Sequence, residues 1–203
     1  MFYLICVCAL LIGYFVGSIP TGYLIVKKKT GIDIREVGSG STGATNVSRV
    51  LGKKWFFIVM FLDMLKGFLP VLAMKLFYGN DISVVCMALG LVIGHSRTCF
   101  LKGRGGKSVA IGMGILFALS LVTGLIVFTL WTLIVQFNKY VSVGSIAAFL
   151  IAPIVLWLCG ATKWYVLYEI VASAYIIYRH RENIKRLLKH QENKISWKKE
   201  SLQ

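Results

Sequence analysis

Long runs without one charged residue constrain this chain more than any other feature. Residues 1–26, 108–138 and 140–162 contain no Asp, Glu, Lys or Arg. About 20 apolar residues suffice for a helix to cross a bilayer. Only 15% of the residues are charged, against about a quarter in soluble domains. These features exclude a disordered chain, a coiled coil and an ordinary soluble enzyme. They predict an all-α integral membrane protein, a polytopic helical bundle in which residues 1–203 form a single membrane domain.

Three further stretches are apolar with few interruptions: residues 55–78, 82–94 and 164–178. Asp63 and Lys66 lie three positions apart within the first of these. A lone charge inside the membrane costs about 2.5–3.5 kcal/mol on insertion scales. We therefore expect Asp63 and Lys66 to form a structural ion pair, with a role in the functional site as the minor alternative.

Positive charge is concentrated in three segments. Residues 27–54, 97–107 and 179–199 hold 19 of the 23 Lys and Arg residues. Short basic loops stay in the cytoplasm. The distribution predicts an outside N-terminus and a cytoplasmic C-terminus.

The number of spans depends on residues 108–138. As one straight helix this run would be about 46 Å long, beyond a hydrocarbon core of about 30 Å. A single crossing would also leave the basic tail outside. We expect two short helices that break near residues 120–124, which gives about seven transmembrane helices. Five or six spans are the alternatives.

The N-terminal residues lack a basic region and a clear cleavage site, so we interpret them as a first span and not as a signal peptide. The five cysteines show no CxxC pair and no spacing typical of metal ligands. We expect no metal site and no disulfide framework.

Function is expected in four cytoplasmic segments beside the helix ends: residues 27–54, 94–108, 138–145 and 179–192. The first contains the loop Gly38–Asn46, rich in glycine and hydroxyl side chains, with Arg49 one helical turn later. Successive backbone N–H groups can bind an anion, and an arginine can bind an oxyanion through two hydrogen bonds. The alternative is a solvated loop whose lysines contact anionic lipid headgroups.

The second segment contains Gly103–Ser108, whose composition is similar to that of a phosphate-binding loop. The spacing is not that of a nucleotide-binding loop, because Leu101 stands where the first glycine belongs. We therefore do not expect ATP hydrolysis. Glycine amides and Lys107 at the start of an apolar helix favour an anion. A basic connector held at the lipid surface is the alternative.

The last segment places His180 and Asn183 on one face of a predicted helix. An apolar stripe follows at Ile184, Leu187 and Leu188, which also fits an amphipathic helix lying on the inner leaflet. Residues 191–203 are predicted to be frayed and solvated. Together, the amides, hydroxyls and cations of these cytoplasmic segments favour the chemistry of phosphorylated substrates beside an apolar phase.

The chain resembles the bacterial acyl-phosphate:glycerol-3-phosphate acyltransferases over about residues 10–195. Three family motifs match in combination. Their matching positions are Gly17–Pro20, Gly38–Asn46 and Arg49; then Gly94-His95, Phe100-Leu101, Gly105–Lys107 and Val109-Ala110; then Tyr140–Ser145, Arg179–Leu188 and Glu192. Four positions depart from the family pattern: Ser41, Thr98, Gly103 and Ser108.

The resemblance implies transfer of an acyl chain from acyl phosphate to the 1-hydroxyl of sn-glycerol 3-phosphate. The products would be 1-acylglycerol 3-phosphate and phosphate, as in phospholipid biosynthesis, with no cofactor, coenzyme A or acyl carrier protein. It further implies a bacterial inner-membrane location, a site facing the cytoplasm, and the bilayer and an acyl-phosphate-producing enzyme as partners. No nucleic-acid partner is expected.

Residue roles also follow from the resemblance. Phosphate groups would be held by Ser39, Arg49, Lys107 and Ser145. His180 and Asn183 would orient the acceptor, and Gly105-Gly106 would admit the donor phosphate. The catalytic set comprises Arg49, Lys107, Ser145 and His180. Further substrate-binding candidates are Gly40, Asn46, Ser142 and Glu192.

Three alternatives stay open from the sequence. The departures from the motifs allow a divergent paralogue with low activity. A transporter of a phosphorylated solute is disfavoured, because only Asp63 and Lys66 lie deep in an apolar segment. A non-catalytic protein that binds anionic lipid would not need the glycine loops.

Overall fold

In the computed structural model, residues 1–195 are described, and within that range the regular structure is helical throughout. Ten α-helices follow one another: α1 (Phe2–Ser18), α2 (Thr21–Thr30), α3 (Ala44–Leu51), α4 (Lys53–Phe77), α5 (Asp81–Ser96), α6 (Val109–Leu119), α7 (Leu121–Asn138), α8 (Val141–Leu158), α9 (Lys163–Arg179) and α10 (Arg181–Leu188). Short 3₁₀ turns occur at Ile34–Glu36 and Cys99–Leu101.

Five helical segments in the described part of the chain are long and apolar enough to cross a membrane. They are Phe2–Thr30, Lys53–Phe77, Asp81–Leu101, Leu121–Asn138 and Val141–Leu158. Many large apolar side chains on these segments are exposed, for example Leu4, Phe61 and Leu150. An apolar outer surface suits lipid as the solvent. The expectation of an all-α membrane bundle is therefore confirmed.

Close helix contacts depend on glycine. In α1, a Cβ atom added to Gly13 or Gly17 would lie 2.4 Å from a backbone oxygen of α5. Gly90 and Gly94 of α5 approach the backbone of α1 in the same way, at 2.2 and 2.1 Å. Small residues four positions apart let membrane helices pack with backbones in contact. This pairing fixes the position of α5, whose last turn borders the functional site.

The uncharged run 1–26 is divided by Pro20. Proline lacks an N–H group and disfavours a helical conformation in the residue before it. The structure accordingly ends α1 at Ser18 and begins α2 at Thr21. The last turn of α2 carries Lys27, Lys28 and Lys29, next to the first functional loop.

The run 108–138 breaks at Ser120, inside the predicted interval. Ser120 is extended, and its Oγ accepts a hydrogen bond from the N–H of Thr123 at 3.2 Å, which caps α7. Only one of the two helices is short as expected: α6 has 11 residues, whereas α7 has 18 and is long enough to cross a membrane. Nζ of Lys75 donates hydrogen bonds to the last carbonyls of the short helix α6, those of Ala118 and Leu119, at 3.2 and 2.8 Å.

The C-terminal tail differs from its prediction. The backbone N–H of Ile195 donates to the carbonyl of Lys139 at 2.8 Å, and Ile195 packs against the core. Residues 191–195 therefore fold back onto the bundle, because Glu192 and Ile195 both find partners there. Residues 196–203 lie outside the described part of the chain.

Candidate active site

Three loops that are distant in sequence meet at one inner cavity of about 960 Å³ including its open mouth. Arg49, Lys107 and His180, one residue from each loop region, all line it. Nine of the twelve site candidates from the sequence line this inner cavity: Ser39, Asn46, Arg49, Lys107, Ser142, Ser145, His180, Asn183 and Glu192. Gly40 and Gly105 line a neighbouring outer cavity, and Gly106 lies buried behind Lys107.

The inner cavity has an apolar arm that continues between the helices. It is lined by Phe56, Met60, Met64, Met113, Phe128 and Trp131. These side chains come from α4, α6 and α7. A cavity that is lined by both cations and apolar side chains fits an amphiphilic ligand.

Asn46 holds the first loop together. Its Oδ1 accepts from the N–H of Ser39 at 3.0 Å, and its Nδ2 donates to the carbonyls of Ile34, Val37 and Ser41 at 2.9–3.1 Å. The amide of Asn46 is thus occupied by the backbone of its own loop. Its side chain fixes the loop that presents Ser39 to the cavity.

The glycine loop before α6 is bound to the end of α5. The N–H groups of Gly105 and Gly106 donate to the carbonyls of Ser96 and His95, at 3.2 and 3.1 Å. Their amides are therefore not directed at an anion, which differs from the interpretation of this loop from sequence. The loop instead holds Lys107 at the edge of the inner cavity.

Ser108 ends this loop in a left-handed conformation with φ +64°. Such a conformation costs a non-glycine residue roughly 1–2 kcal/mol. The Oγ of Ser108 donates to the carbonyl of Val92 at 2.9 Å, which offsets part of that cost. Thr98, another departure from the family motif, donates to the carbonyl of Ser18 at 2.6 Å and caps the turn that follows it.

Lys107 begins a polar network across the mouth of the cavity. Its Nζ donates to Oδ1 of Asn183 at 2.5 Å, and Nδ2 of Asn183 donates to Glu192 at 2.6 Å. Burial, opposed by the nearby carboxylate of Glu192, lowers the pKa of Lys107 to about 8. Lys107 is therefore a cation at neutral pH, held in one position by a neutral acceptor.

Glu192 connects the tail to two helices. Its carboxylate accepts from Ser142 at 2.8 Å and from Nε of Arg186 at 2.7 Å. Burial raises its pKa, but hydrogen bonds from Asn183, Ser142 and Arg186 outweigh burial and hold the pKa below its usual value. The carboxylate thus stays ionised and links α8, α10 and the tail.

His180 presents a hydrogen-bond acceptor. Its Nδ1 lies 2.8 Å from the carbonyl of Ile176. A carbonyl only accepts, so Nδ1 carries the hydrogen and Nε2 carries the lone pair. Burial and the charge of Lys107 lower the pKa of His180 to about 4. The ring is therefore neutral at physiological pH.

Ser145 is oriented by two neighbours. Its Oγ donates to the carbonyl of Val141 at 2.8 Å and accepts from the indole N–H of Trp131 at 3.2 Å. Its hydroxyl hydrogen is thereby directed away from a ligand, and one oxygen lone pair is left over.

The sequence did not mark Trp131, Arg186 or His95 as site residues, although all three line the inner cavity. Asp63 lines it as well, and its expected ion pair with Lys66 is confirmed at 3.0 Å. Spacing along the chain gives no signal for Trp131, which lies inside an uncharged helix.

The outer cavity is strongly basic. It adjoins the inner cavity through shared lining residues that include Ser39, Lys107 and Asn183. Its arginines are Arg35, Arg97, Arg104, Arg179, Arg181 and Arg186. A cationic approach of this kind raises the local concentration of anions.

Comparison with known proteins identifies the family. The family model described as glycerol-3-phosphate acyltransferase matches residues 7–190. The chain belongs to the glycerol-3-phosphate acyltransferase family. The chain is 44% identical to a glycerol-3-phosphate acyltransferase of Synechococcus sp. (strain JA-3-3Ab) over 92% of this chain and 91% of that protein. It is also 44% identical to the glycerol-3-phosphate acyltransferase of Aquifex aeolicus, over 89% of this chain and 94% of the relative.

Solved structures of the family share the fold. A crystal structure of PlsY (YgiH), an integral membrane glycerol 3-phosphate acyltransferase in its glycerol 3-phosphate form, matches with a TM-score of 0.89 and 41% identity. The match covers 94% of this chain and 96% of that one. The lysophosphatidic acid form matches with a TM-score of 0.86. The resemblance seen in the motifs is thus confirmed.

Proposed function

We propose that this glycerol-3-phosphate acyltransferase family member transfers an acyl chain from acyl phosphate to the 1-hydroxyl of sn-glycerol 3-phosphate. The observation that carries the proposal is the inner cavity, which is lined both by the cations Arg49 and Lys107 and by the apolar side chains of the arm. A phosphorylated acceptor and an amphiphilic donor both fit that distribution of charge. The relatives are named for the same acceptor.

The cations of the cavity bind the phosphoryl groups. Arg49 and Lys107 supply charge-assisted hydrogen bonds, which are about twice as strong as neutral ones. The hydroxyl of Ser39 adds a donor at the mouth. Asn46 and the glycine pair Gly105-Gly106 act as positioning residues, because their polar groups are bound within the protein.

The hydroxyl of the acceptor attacks the carbonyl carbon of the donor directly. The neutral ring of His180 accepts a hydrogen bond from this hydroxyl through Nε2, and the remaining lone pair of Ser145 is a second acceptor nearby. The new C–O bond forms, the bond from the carbonyl carbon to the phosphate oxygen breaks, and phosphate leaves. The hydroxyl proton ends on the departing phosphate, passed through the phosphate of the acceptor, because a His180 pKa of about 4 makes its ring a weak base.

The acyl chain lies in the apolar arm. Met60, Met64 and Met113 line it, and methionine side chains adapt to irregular apolar ligands. Each methylene moved from water into such a site contributes about 0.8 kcal/mol. Long-chain donors are therefore favoured over short ones.

The contacts of α6 support a seven-span arrangement with the site facing the cytoplasm. Ser108 contacts Val92 near the end of α5, and the last carbonyls of α6 contact Lys75 near the far end of α4. The short helix α6 thus runs from the functional site toward the opposite side. Seven helices then cross the inner membrane of a bacterial cell: α1, α4, α5, α6, α7, α8 and α9. This number of crossings places the N-terminus outside and the basic tail in the cytoplasm. Acyl phosphate would come from an acyl-phosphate-producing enzyme on the cytoplasmic side.

Purified protein should release phosphate from palmitoyl phosphate only when glycerol 3-phosphate is present. Phosphate and 1-acylglycerol 3-phosphate should form in equal amounts. Palmitoyl-coenzyme A serves as the control donor, and we expect no product from it. Absence of turnover with palmitoyl phosphate would rule out the proposed donor, and coupled uptake of glycerol 3-phosphate into vesicles would favour a transporter.

The pH profile should report the charge of Lys107. Glycerol 3-phosphate is a dianion above pH about 6, and Lys107 is a cation below its pKa of about 8. We expect kcat/KM for glycerol 3-phosphate to be highest between these values and to fall about tenfold per pH unit above pH 8. In Lys107→Arg, which stays charged, the alkaline fall should move to higher pH. A wild-type profile that stays flat to pH 9.5 would contradict this role of Lys107.

Labelling of single cysteines should establish the span number. In a chain without Cys6, Cys8, Cys86, Cys99 and Cys159, Lys139→Cys marks the α7–α8 connection and Lys163→Cys marks the α8–α9 connection. Both positions are exposed. We expect an impermeant reagent to label residue 163 in intact cells and residue 139 only after the cells are opened. The reverse pattern would contradict the seven-span arrangement.

A further inference from the structure

His95 lies in the last turn of α5, and Lys66 determines which of its nitrogens carries hydrogen. Nζ of Lys66 lies 2.8 Å from the carbonyl oxygen of Ile19, 3.0 Å from Oδ1 of Asp63 and 3.3 Å from Nδ1 of His95. An ammonium group has three hydrogens and accepts none. Nδ1 of His95 is therefore the acceptor, and the hydrogen of the neutral ring is on Nε2.

Nε2 of His95 lies at the wall of the inner cavity, next to Gly106. A Cβ atom added to Gly106 would lie 2.2 Å from this nitrogen, so the ring packs directly against the residue before Lys107. Within residues 1–195, every fully buried side-chain nitrogen or oxygen has a hydrogen-bond partner. The ring of His95 makes its hydrogen bond through Nδ1, so Nε2 is not fully buried. Since His95 lines the inner cavity, its Nε2–H is available to a ligand there.

The two histidines of the inner cavity thus present opposite hydrogen-bonding groups to a ligand, an acceptor and a donor. His180 is bound to a carbonyl through Nδ1 and presents a lone pair, whereas His95 is bound to an ammonium and presents an N–H. A hydroxyl nucleophile needs an acceptor, and a carbonyl under attack needs a donor. The pair therefore matches the two needs of acyl transfer to an alcohol.

We propose that His95 donates a hydrogen bond from Nε2 to the carbonyl oxygen of the acyl donor, which makes it a further catalytic residue. The inference rests on the proposed acyl transfer. A donor with its chain in the apolar arm and its phosphate at Lys107 has its carbonyl at the boundary between them. His95 lines the same cavity as Met64 of the arm, and its ring packs against Gly106, the residue before Lys107.

The step balances without a proton from His95. As the acceptor oxygen bonds to the carbonyl carbon, the carbonyl electron pair moves to its oxygen, where Nε2–H stabilises the charge. The pair returns as the bond to phosphate breaks, and His95 keeps its hydrogen throughout. Asp63 and Lys66 act as positioning residues, because they hold the ring in the donor tautomer.

Two substitutions distinguish the roles of the two ring nitrogens of His95. In His95→Asn the side-chain amide reaches only the Nδ1 position, whereas in His95→Gln an amide N–H reaches the Nε2 position. Loss of one oxyanion donor reduces kcat by about 10²–10³. We expect that reduction in His95→Asn, with KM for glycerol 3-phosphate nearly unchanged, and at least partial recovery in His95→Gln. The matched control is His190→Asn, at an exposed residue with φ +55° that asparagine tolerates.

Equal loss in the asparagine and glutamine variants, or an effect on KM alone, would overturn the proposal. A second measurement does not depend on variants. The chain has three histidines, so ¹⁵N NMR of histidine-labelled wild-type protein can assign each ring. We expect the Nε2–H tautomer for His95 and the Nδ1–H tautomer for His180, and an Nδ1–H tautomer for His95 would overturn the proposal. Failure of the wild-type protein to use acyl phosphate would instead count against the proposed function and would leave the tautomers unaffected.

Discussion

Lys107→Ala should reduce turnover by about 10³-fold or more while the protein still inserts and folds. The substitution removes a cation from the inner cavity and leaves Oδ1 of Asn183 without its donor. A charge-assisted contact to a phosphoryl group is among the stronger hydrogen bonds in a protein, and electrostatic stabilisation is the largest contribution expected here. Phosphate release at saturating palmitoyl phosphate and glycerol 3-phosphate measures the effect.

Lys102→Asn is the matched control. It removes a cation from the same loop, at an exposed residue with φ +54°, a conformation that asparagine tolerates. We expect turnover within about twofold of wild type, as for a screened surface charge. If Lys107→Ala retained wild-type turnover, or if both variants lost it equally, Lys107 would have no specific role in the site.

Gly106→Ala should have the second large effect. Its Cβ atom would lie 2.2 Å from Nε2 of His95, a ring held by Lys66 on its other side. Either the ring or the loop must move, and the N–H of Gly106, bound to the carbonyl of His95, moves with it. We expect turnover to fall by about 10²-fold, since displacement by about 1 Å at a reacting centre has that consequence.

Gly160→Asn tests whether the loss is specific to this glycine. Gly160 follows α8, has φ +74° and has no atom within 4 Å of the added Cβ. Turnover and thermal unfolding temperature should both be close to those of wild type. The Gly106→Ala protein should also show weaker protection of the loop at residues 103–108 in hydrogen exchange. Unchanged turnover in Gly106→Ala would mean that the glycine loop does not position Lys107.

The membrane class and the convergence of the loops could be predicted from the sequence for simple reasons. Hydrophobic length and the positions of cations are local properties, and a bilayer converts them directly into spans and sides. The break at Ser120 followed from length, because 31 uncharged residues are too many for one crossing. The ion pair of Asp63 with Lys66 followed from helical spacing and the cost of lone charges.

The uses of individual polar groups could not be predicted in the same way. Gly105 and Gly106 have amides that look available in the sequence, but carbonyls of α5 occupy them. Glu192 follows a helix end in a polar tail, and only the folded chain brings it to Ser142, 50 positions earlier. A hydrogen-bond partner that comes from a distant element leaves no periodic pattern at either residue.

The tautomer of His95 could not be predicted from the sequence either. Its partner Lys66 lies 29 positions earlier in another helix, and the hydrogen on Nε2 depends on that partner alone. The motif that includes Gly94-His95 indicated the family, but no spacing rule indicated which nitrogen faces the substrate. The tautomer of His95 can be assigned only from the folded structure, in which three acceptors surround the ammonium group of Lys66.

A structure of the wild-type protein with glycerol 3-phosphate tests the central claim most directly, namely that distant loops form one phosphate-binding cavity. We expect the phosphate oxygens within hydrogen-bond distance of Lys107 Nζ and the Arg49 guanidinium, and a glycerol hydroxyl near Nε2 of His180. A phosphate held only by the arginines of the outer cavity, with the inner cavity empty, would contradict the claim.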